Sequence, residues 1–367
     1  MVEAQDTSCV YGLRQQARSL TPVAASTEKS KFLLGSLGTK NNVVCLLEYD
    51  DDQHTTSSIL FAHPDEVWDI ASCPANEDLF MTCHSPVSVR PSVKQATLWK
   101  KTQQDRAGSL ESLLTLDYAA EKAWWNSDGQ SLIAIDKATL YHTHIDHTSA
   151  STPLMITTDC MFDTTTSLST SLPTLQNATW NPHKPEVVTV GGQSIAGWDL
   201  RAGTNTFLRR QAHASTIRAL DCNANKPYHL ATGGDDAKVR LWDTRQLTEP
   251  LTTLENHTHW VWSVAFNKFY DQVLLTSSSD TLVQLQNVVS ASSASYLEHE
   301  SSDSEGEHEA DHKQVDGLMA TFEQHEDSVY SVAWSPADTW TFASLSYAGR
   351  VVISQVPTQE KFKILGV

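Results

Sequence analysis

Three segments of this chain align with one another on a histidine without a gap, and that internal repetition constrains the fold more than any other feature. They begin at His213 (HASTIRALDCNANKPYHLATGGDDAKVRLWDTR), His257 (HTHWVWSVAFNKFYDQVLLTSSSDTLVQLQN) and His325 (HEDSVYSVAWSPADTWTFASLSYAGRVVISQV). Nineteen residues after each histidine stand Thr232, Thr276 and Ser344; twenty-three after stand Asp236, Asp280 and Ala348; twenty-nine after stand Trp242, Gln286 and Ser354. Self-similarity at a spacing of roughly 40–45 residues marks an array in which each repeat is one supersecondary unit that buries its faces against its neighbours. The runs between the anchors, such as HLAT, VLLT and FAS, are apolar without alternation, as strands covered on both faces should be.

Polar groups inside such a stack must be paired. A line of tryptophan indole, threonine or serine hydroxyl, imidazole and carboxylate satisfies each member in turn. This pattern resembles the WD40 repeat, whose four signature residues form a hydrogen-bonded tetrad within a blade. Only the repeat from His213 keeps all four (His213, Thr232, Asp236, Trp242), while Ala348 and Ser354 show that the last has lost two. Weaker copies extend upstream: EVWDIASCP after His63, with DLFMTCHS and ATLWK ending at Trp99; AWWNSDGQSLIAIDKATLYHTHI; and TWNPHKPEVVTVGG before GWDLR at 197–201. VYGLRQQARSLTP, KFLLGSLGT, NNVVCLLEYD and TSSILFAH read as four more short strands. The expected fold is all-β, a single seven-bladed WD40 β-propeller over residues 1–367. With each blade contiguous in sequence, the ring is expected to close by packing between the first and last blades and not by a shared sheet. KFKILGV is expected to supply the final outer strand.

Three insertions interrupt the rhythm. Residues 101–112 and 158–174 read as polar loops. Residues 291–316, ASSASYLEHESSDSEGEHEADHKQVD, read as an acidic, disordered excursion before the last blade. Its stretch 298–316 holds eight acids and one lysine; without it the net charge of −18 would be −11. Ser302 and Ser304 each have a glutamate three residues later, the spacing favoured by acid-directed kinases, which makes them candidate phosphorylation sites beside the plainer reading of a solvated loop. The same net charge disfavours binding to nucleic acid or to anionic membrane surfaces. Six scattered cysteines without a CxxC pair suit a reduced compartment. No stretch approaches the ~18 apolar residues of a membrane span, and Glu3 and Asp6 argue against a secretory signal. A soluble cytoplasmic protein without direct membrane insertion is expected.

Catalytic signatures are missing from the sequence: it has no P-loop, GxSxG, HExxH or dinucleotide fingerprint. No cofactor and no metal are expected. His142, His144, Asp146 and His147 cluster without a completing ligand and read as solvated edge-strand residues. The His, Thr and Asp of the tetrad list like a catalytic triad, but their repeated register makes them structural. A different column points to binding. Five residues after each repeat histidine stand Trp68, Arg218, Trp262 and Tyr330, with Glu121 and Gln176 at the matching points of degenerate blades and Trp260 in an adjoining loop. The resemblance to a WD40 propeller implies that this position opens the innermost strand near the mouth of the central channel, and Trp, Tyr and Arg are the types enriched in binding hot spots; the plainer reading is packing between blades. The endings WDLR and WDTR offer an alternative. HLATGGDDAKVRLWDTR resembles the box of cullin-4 ubiquitin-ligase substrate receptors, in which Arg201 and Arg245 would help dock the adaptor.

Beyond the generic repeat, YGLRQQARSLTP (11–22), EVWDIASCPA (66–75), the stretch 233–267 and the stretch 325–353 resemble the family of EARP- and GARP-complex-interacting WD40 proteins. The resemblance implies a non-enzymatic scaffold that binds multisubunit vesicle-tethering complexes, as a monomer within a larger assembly. It also implies peripheral recruitment to the trans-Golgi network and recycling endosomes, in support of endocytic recycling and endosome-to-Golgi retrograde transport. Ala348 departs from the family's SYDGR pattern, which has Asp there.

Overall fold

The computed structural model describes residues 8–86, 94–104, 107–146, 149–162, 174–296 and 315–366. Strands dominate, and they fall into seven antiparallel blades. Blade 1 comprises Gln16–Pro22, Ser30–Leu37, Val43–Asp50 and Thr55–Ala62, and blade 2 comprises Glu66–Ser72, Leu79–Ser85, Gln95–Gln104 and Ala107–Ala119. Blade 3 runs from Lys122–Trp125 through Ser131–Asp136 and Thr139–Asp146 to two short outer strands, Ser149–Ala150 and Leu154–Thr157. Blade 4 begins at Leu175–Trp180, blade 5 at Ile217–Cys222, blade 6 at Val261–Phe266 and blade 7 at Val329–Trp334.

The hydrophobic core follows the ring. Seven clusters of buried side chains lie between successive blades, the last of them joining blade 7 (Ala343, Leu345, Val351) to blade 1 (Ala17, Phe32, Leu34). Alternation along a strand splits its side chains between two clusters. In blade 3, Leu132 and Ala134 face blade 2 while Ile133 and Ile135 face blade 4. Each second strand is therefore buried at nearly every position, its few polar side chains included, which is why its sequence carries no period-two pattern. Indoles clip blade to blade: Trp125, Trp180 and Trp334 donate to the carbonyls of Ala71, Trp124 and Ala265 of the preceding blade at 3.2, 3.1 and 3.0 Å.

The seam differs from the sequence expectation. Cys9–Gly12 forms the outer strand of blade 7, pairing antiparallel with Arg350–Gln355 in the register Cys9↔Ile353 to Gly12↔Arg350. The ring closes through a shared sheet. VYGLRQQARSLTP is two strands in two blades, and KFKILGV has no vacant edge to fill; Thr358–Leu365 is instead a short helix, ended by Gly366 at φ 71°. An outer edge left unpaired would expose a row of backbone donors and acceptors, and the N-terminal strand covers it.

The expected loop at 101–112 is also different. Gln95–Gln104 and Ala107–Ala119 form a long hairpin that reaches blade 1, where Phe61 pairs with Gly108. Glycine is required at that crossing, because a Cβ on Gly108 would lie 2.3 Å from the Phe61 ring. Leu110 packs on the cluster between blades 1 and 2, and Lys101 is covered with its Nζ 3.7 Å from Asp78. The polar composition there marks a solvated outer strand, not a loop. At 158–162 the chain forms a short 3-10 turn whose buried Met161 packs between blades 3 and 4, and residues 163–173 lie outside the described residues. The acidic insertion begins as two docked 3-10 turns. Ser293 donates to Asp271 through its N–H at 2.8 Å and its hydroxyl at 2.6 Å, and the Ala291 carbonyl lies 2.8 Å from His229 Nδ1. Ser302 and Ser304 lie outside the described residues.

Candidate functional site

The inner strands of the blades surround a central cavity of about 890 Å³. In all but one of the inner strands a local irregularity aims one residue at its mouth. In six of the seven inner strands the ladder skips one residue beside the second strand, and the skipped residues are Arg18, Trp68, Gln176, Arg218, Trp262 and Tyr330. A β-bulge turns its extra residue out of the pleat, so the column counted from the repeat histidines is a column of bulges. In blade 3 no residue is skipped; Glu121 stands just before the inner strand, its N–H bonded to the Ile135 carbonyl at 2.7 Å.

The bulged side chains of blades 2, 1, 7, 6 and 5 form one continuous arc in which two arginines are interleaved with three aromatic rings. Arg18 lies 5.6 Å from the Trp68 ring, 4.5 Å from Tyr330 and 5.0 Å from Tyr347. Tyr330 and Trp262 are 4.4 Å apart, Trp262 and Trp260 5.9 Å. Arg218 follows at 4.9 Å from Trp262 and 5.5 Å from Trp260. Arg218 is held by Asp235 through two hydrogen bonds of 2.7 and 2.9 Å, and the Trp262 indole donates to Ser279 at 2.6 Å. Trp260 is 41% exposed, so much of its ring faces solvent. The structure thus brings all five candidate binding residues to one rim.

Sequence counting missed Arg18, Tyr347 and Lys94, whose Nζ lies 4.7 Å over Trp68. Blade 1 has no repeat histidine from which to count to Arg18, and the bulge that aims it at the mouth is visible only in the ladder. Deeper in the wall, Asp69 accepts from the Ala123 N–H at 3.1 Å and Asp221 from the Phe266 N–H at 2.8 Å, each tying one inner strand to the next blade. Burial pushes both carboxyls up to about 6.

The tetrad of blade 5 is assembled. Trp242 Nε1 donates to Thr232 Oγ1 at 2.9 Å, His213 Nε2 lies 2.8 Å from the same hydroxyl, and Nδ1 lies 2.9 Å from Asp236. One proton assignment serves every member: indole to hydroxyl, hydroxyl to Nε2, Nδ1–H to carboxylate. Burial holds the His213 imidazole below its usual range and therefore neutral. Burial alone would raise the Asp236 carboxyl, but hydrogen bonds from His213, Arg240 and the Ala214 N–H together hold it well below the carboxylate range. Thr232 is fully buried, with its hydroxyl engaged on both sides, so this triad-like set presents no nucleophile to a substrate. Blade 6 keeps the His257 bonds to Asp280 and Thr276 at 2.9 and 2.8 Å, with Gln286 in the indole position turned to Gln284. In blade 7 His325 reaches Ser344 at 2.7 Å, but among the described residues its Nδ1 and the Ser354 hydroxyl have no partner.

The sequence profile of the EIPR1 beta-propeller family matches residues 5–286, and a WD domain, G-beta repeat profile matches 317–353. The chain belongs to the EIPR1 beta-propeller family. An EARP-interacting protein homolog of Gekko japonicus is 36% identical, with 98% of this chain and 99% of that protein aligned. Proteins named EARP and GARP complex-interacting protein 1 from Rattus norvegicus and Homo sapiens are each 35% identical over the same shares.

The remaining candidates of this EIPR1-family propeller lie away from the mouth. Arg201 and Arg245 stand in the turns after the third strands of blades 4 and 5. The Arg245 guanidinium is bound by Asp243, its Nε 3.0 Å from Oδ1 and its Nη2 2.6 Å from Oδ2, and lies 4.5 Å over Tyr228; exposed Arg201 gives its backbone N–H to Asp199 at 2.8 Å. The relatives reported above are named for interaction with EARP or GARP complexes and not for a ligase. His142 and His144 are on an interior strand of blade 3 and not at an edge, since Thr139–Asp146 pairs on both sides. His142 packs edge-on against Trp180 at 5.7 Å, while His147 lies outside the described residues. Among the described residues, no helix is long and apolar enough to cross a membrane.

Proposed function

We propose that this chain is a non-enzymatic WD40 scaffold that binds vesicle-tethering complexes of the EARP/GARP type through the cation–aromatic mouth of its channel. The observation that carries the reading is the alignment, along nearly the whole chain, with relatives named for that interaction. The mouth supports it physically: five blades converge on one rim rich in Trp, Tyr and Arg, which bury large area at small entropic cost. In this reading the chain acts as a single copy within a larger assembly, recruited peripherally from the cytoplasm to the trans-Golgi network and recycling endosomes. There it supports endocytic recycling and endosome-to-Golgi retrograde transport.

The test is affinity capture of EARP/GARP subunits with purified protein. Trp262→Ala and Tyr330→Ala are expected to weaken capture at least about tenfold each, with thermal unfolding showing the variants still folded. Undiminished capture by both variants would remove the mouth as the contact surface.

A further inference from the structure

Two arginines occupy equivalent bulged positions at the channel mouth, and they differ in one respect. Arg218 is matched by a carboxylate, Asp235, through two short hydrogen bonds. Arg18 is not: among the described residues no Asp or Glu lies within ion-pair distance of it, and its hydrogen bond is to the Tyr330 hydroxyl, Nη2 to Oη at 3.2 Å. Three aromatic rings enclose it instead, Trp68, Tyr330 and Tyr347. In blade 2, Lys94 lies over the far side of that cage, 4.7 Å from the Trp68 ring, and is ion-paired to Glu121 at 3.9 Å.

We infer that Arg18 is a carboxylate receptor: the rim between blades 7, 1 and 2 binds an aspartate or glutamate side chain presented by an acidic segment of a partner protein. Ring faces compensate a guanidinium only in part, and Arg18 is half-buried, so water solvates it incompletely. A planar carboxylate fits the guanidinium fork with two parallel hydrogen bonds. The aromatic cage fixes the plane of that fork before binding, which lowers the ordering cost of the contact. Charge complementarity selects the occupant. The chain carries −18 overall, so a nucleic acid or an anionic membrane is repelled as a body, whereas one acidic side chain that reaches Arg18 meets a cation no described carboxylate pairs. The 890 Å³ cavity below leaves room for it.

This inference rests on the mouth being the tether contact, and its test separates the two. Capture of the EARP/GARP-type complex is compared for wild type, Arg18→Gln, Arg18→Lys and Trp262→Ala, across a salt series, with thermal unfolding as the fold control. Arg18→Gln is expected to weaken capture at least about 30-fold and to flatten its salt dependence. Arg18→Lys, which keeps the charge and loses the fork, is expected to fall between. It also serves as the reporting variant should the glutamine variant unfold. Wild-type capture by Arg18→Gln alongside lost capture by Trp262→Ala overturns the carboxylate receptor and leaves the mouth in place. Should wild type capture no tether subunit, the functional reading fails, and dye-labelled hexaglutamate and hexaglutamine peptides decide the inference by fluorescence anisotropy. Arg18-dependent binding of the glutamate peptide alone upholds it; no binding, or binding indifferent to Arg18, overturns it.

Discussion

At the scale of single residues, the stack is held by hydroxyls whose removal leaves a buried donor and a buried acceptor without partners. Thr232 accepts from Trp242 and serves His213, and valine matches its shape without the oxygen. Thr232→Val should therefore cost about 2–4 kcal/mol, the penalty of two buried unsatisfied groups, read as a lowered urea midpoint. Blade 7 offers the reverse experiment. His325 Nδ1 lacks the carboxylate that His213 and His257 have, because Ala348 stands where blades 5 and 6 place Asp236 and Asp280. Ala348→Asp should stabilise the fold by about 1 kcal/mol. Its pH dependence has a definite sign. Burial pushes His325 down to about 4, against about 6.5 in an unfolded chain. Between those values the unfolded state holds more protons, so stability is full above about pH 6.5 and is lost as pH falls towards 4. A carboxylate at 348 raises the folded value and reduces that loss. The advantage of Ala348→Asp over wild type should thus grow between about pH 7.5 and about pH 5; an advantage that shrinks would mean the new carboxylate does not reach Nδ1. His63, likewise held near 4 by burial, is common to both proteins and cancels from the comparison.

Among the elements, what was legible in the sequence tracks the density of side-chain signals. Blades 5, 6 and 7 announce themselves because a histidine and a threonine or serine recur in each at a fixed offset, and their second strands are buried along almost their whole length. Trp68, Arg218, Trp262 and Tyr330 could be counted to from a histidine, although the reason they face the channel, the skipped ladder residue, is a backbone property that no residue type encodes. Elements at the outer edges of the blades, where no tetrad residue marks the strand, were harder to see. Cys9–Gly12 is four residues long with alternating burial, and nothing in CVYG says that its partner lies more than 300 positions away. The 95–119 hairpin is solvated along much of its length, so its charge and amide content read as loop although both strands are long. The terminal helix fails in the opposite sense. KFKILGV carries a strand-like composition, but the sheet edge it would have joined is already occupied.

For the whole molecule, the consequence of the shared-sheet seam is that the mouth is built across it. Arg18 belongs to blade 1 and Tyr330 to blade 7, 312 positions apart in sequence, and their contact exists only when the ring is shut. Gly349 is the tightest point of that closure. It stands at φ 82°, where an added Cβ would lie 2.2 Å from the Gln15 carbonyl oxygen and 2.9 Å from that of Leu13; its own carbonyl accepts from the Leu13 N–H at 2.8 Å. Neither the backbone angle nor the space admits a side chain. Gly349→Ala should cost about 3 kcal/mol or more and displace residues 13–17, and with them Arg18, relative to Tyr330. Thr232→Val, of comparable cost, acts inside blade 5 and leaves the Arg18–Tyr330 contact untouched. The two variants therefore separate stability from assembly of the rim. At a temperature where both remain folded, Gly349→Ala should lose tether capture while Thr232→Val retains it. Equal retention would show that partner binding does not depend on the seam, and that the rim of blades 5 and 6 suffices by itself.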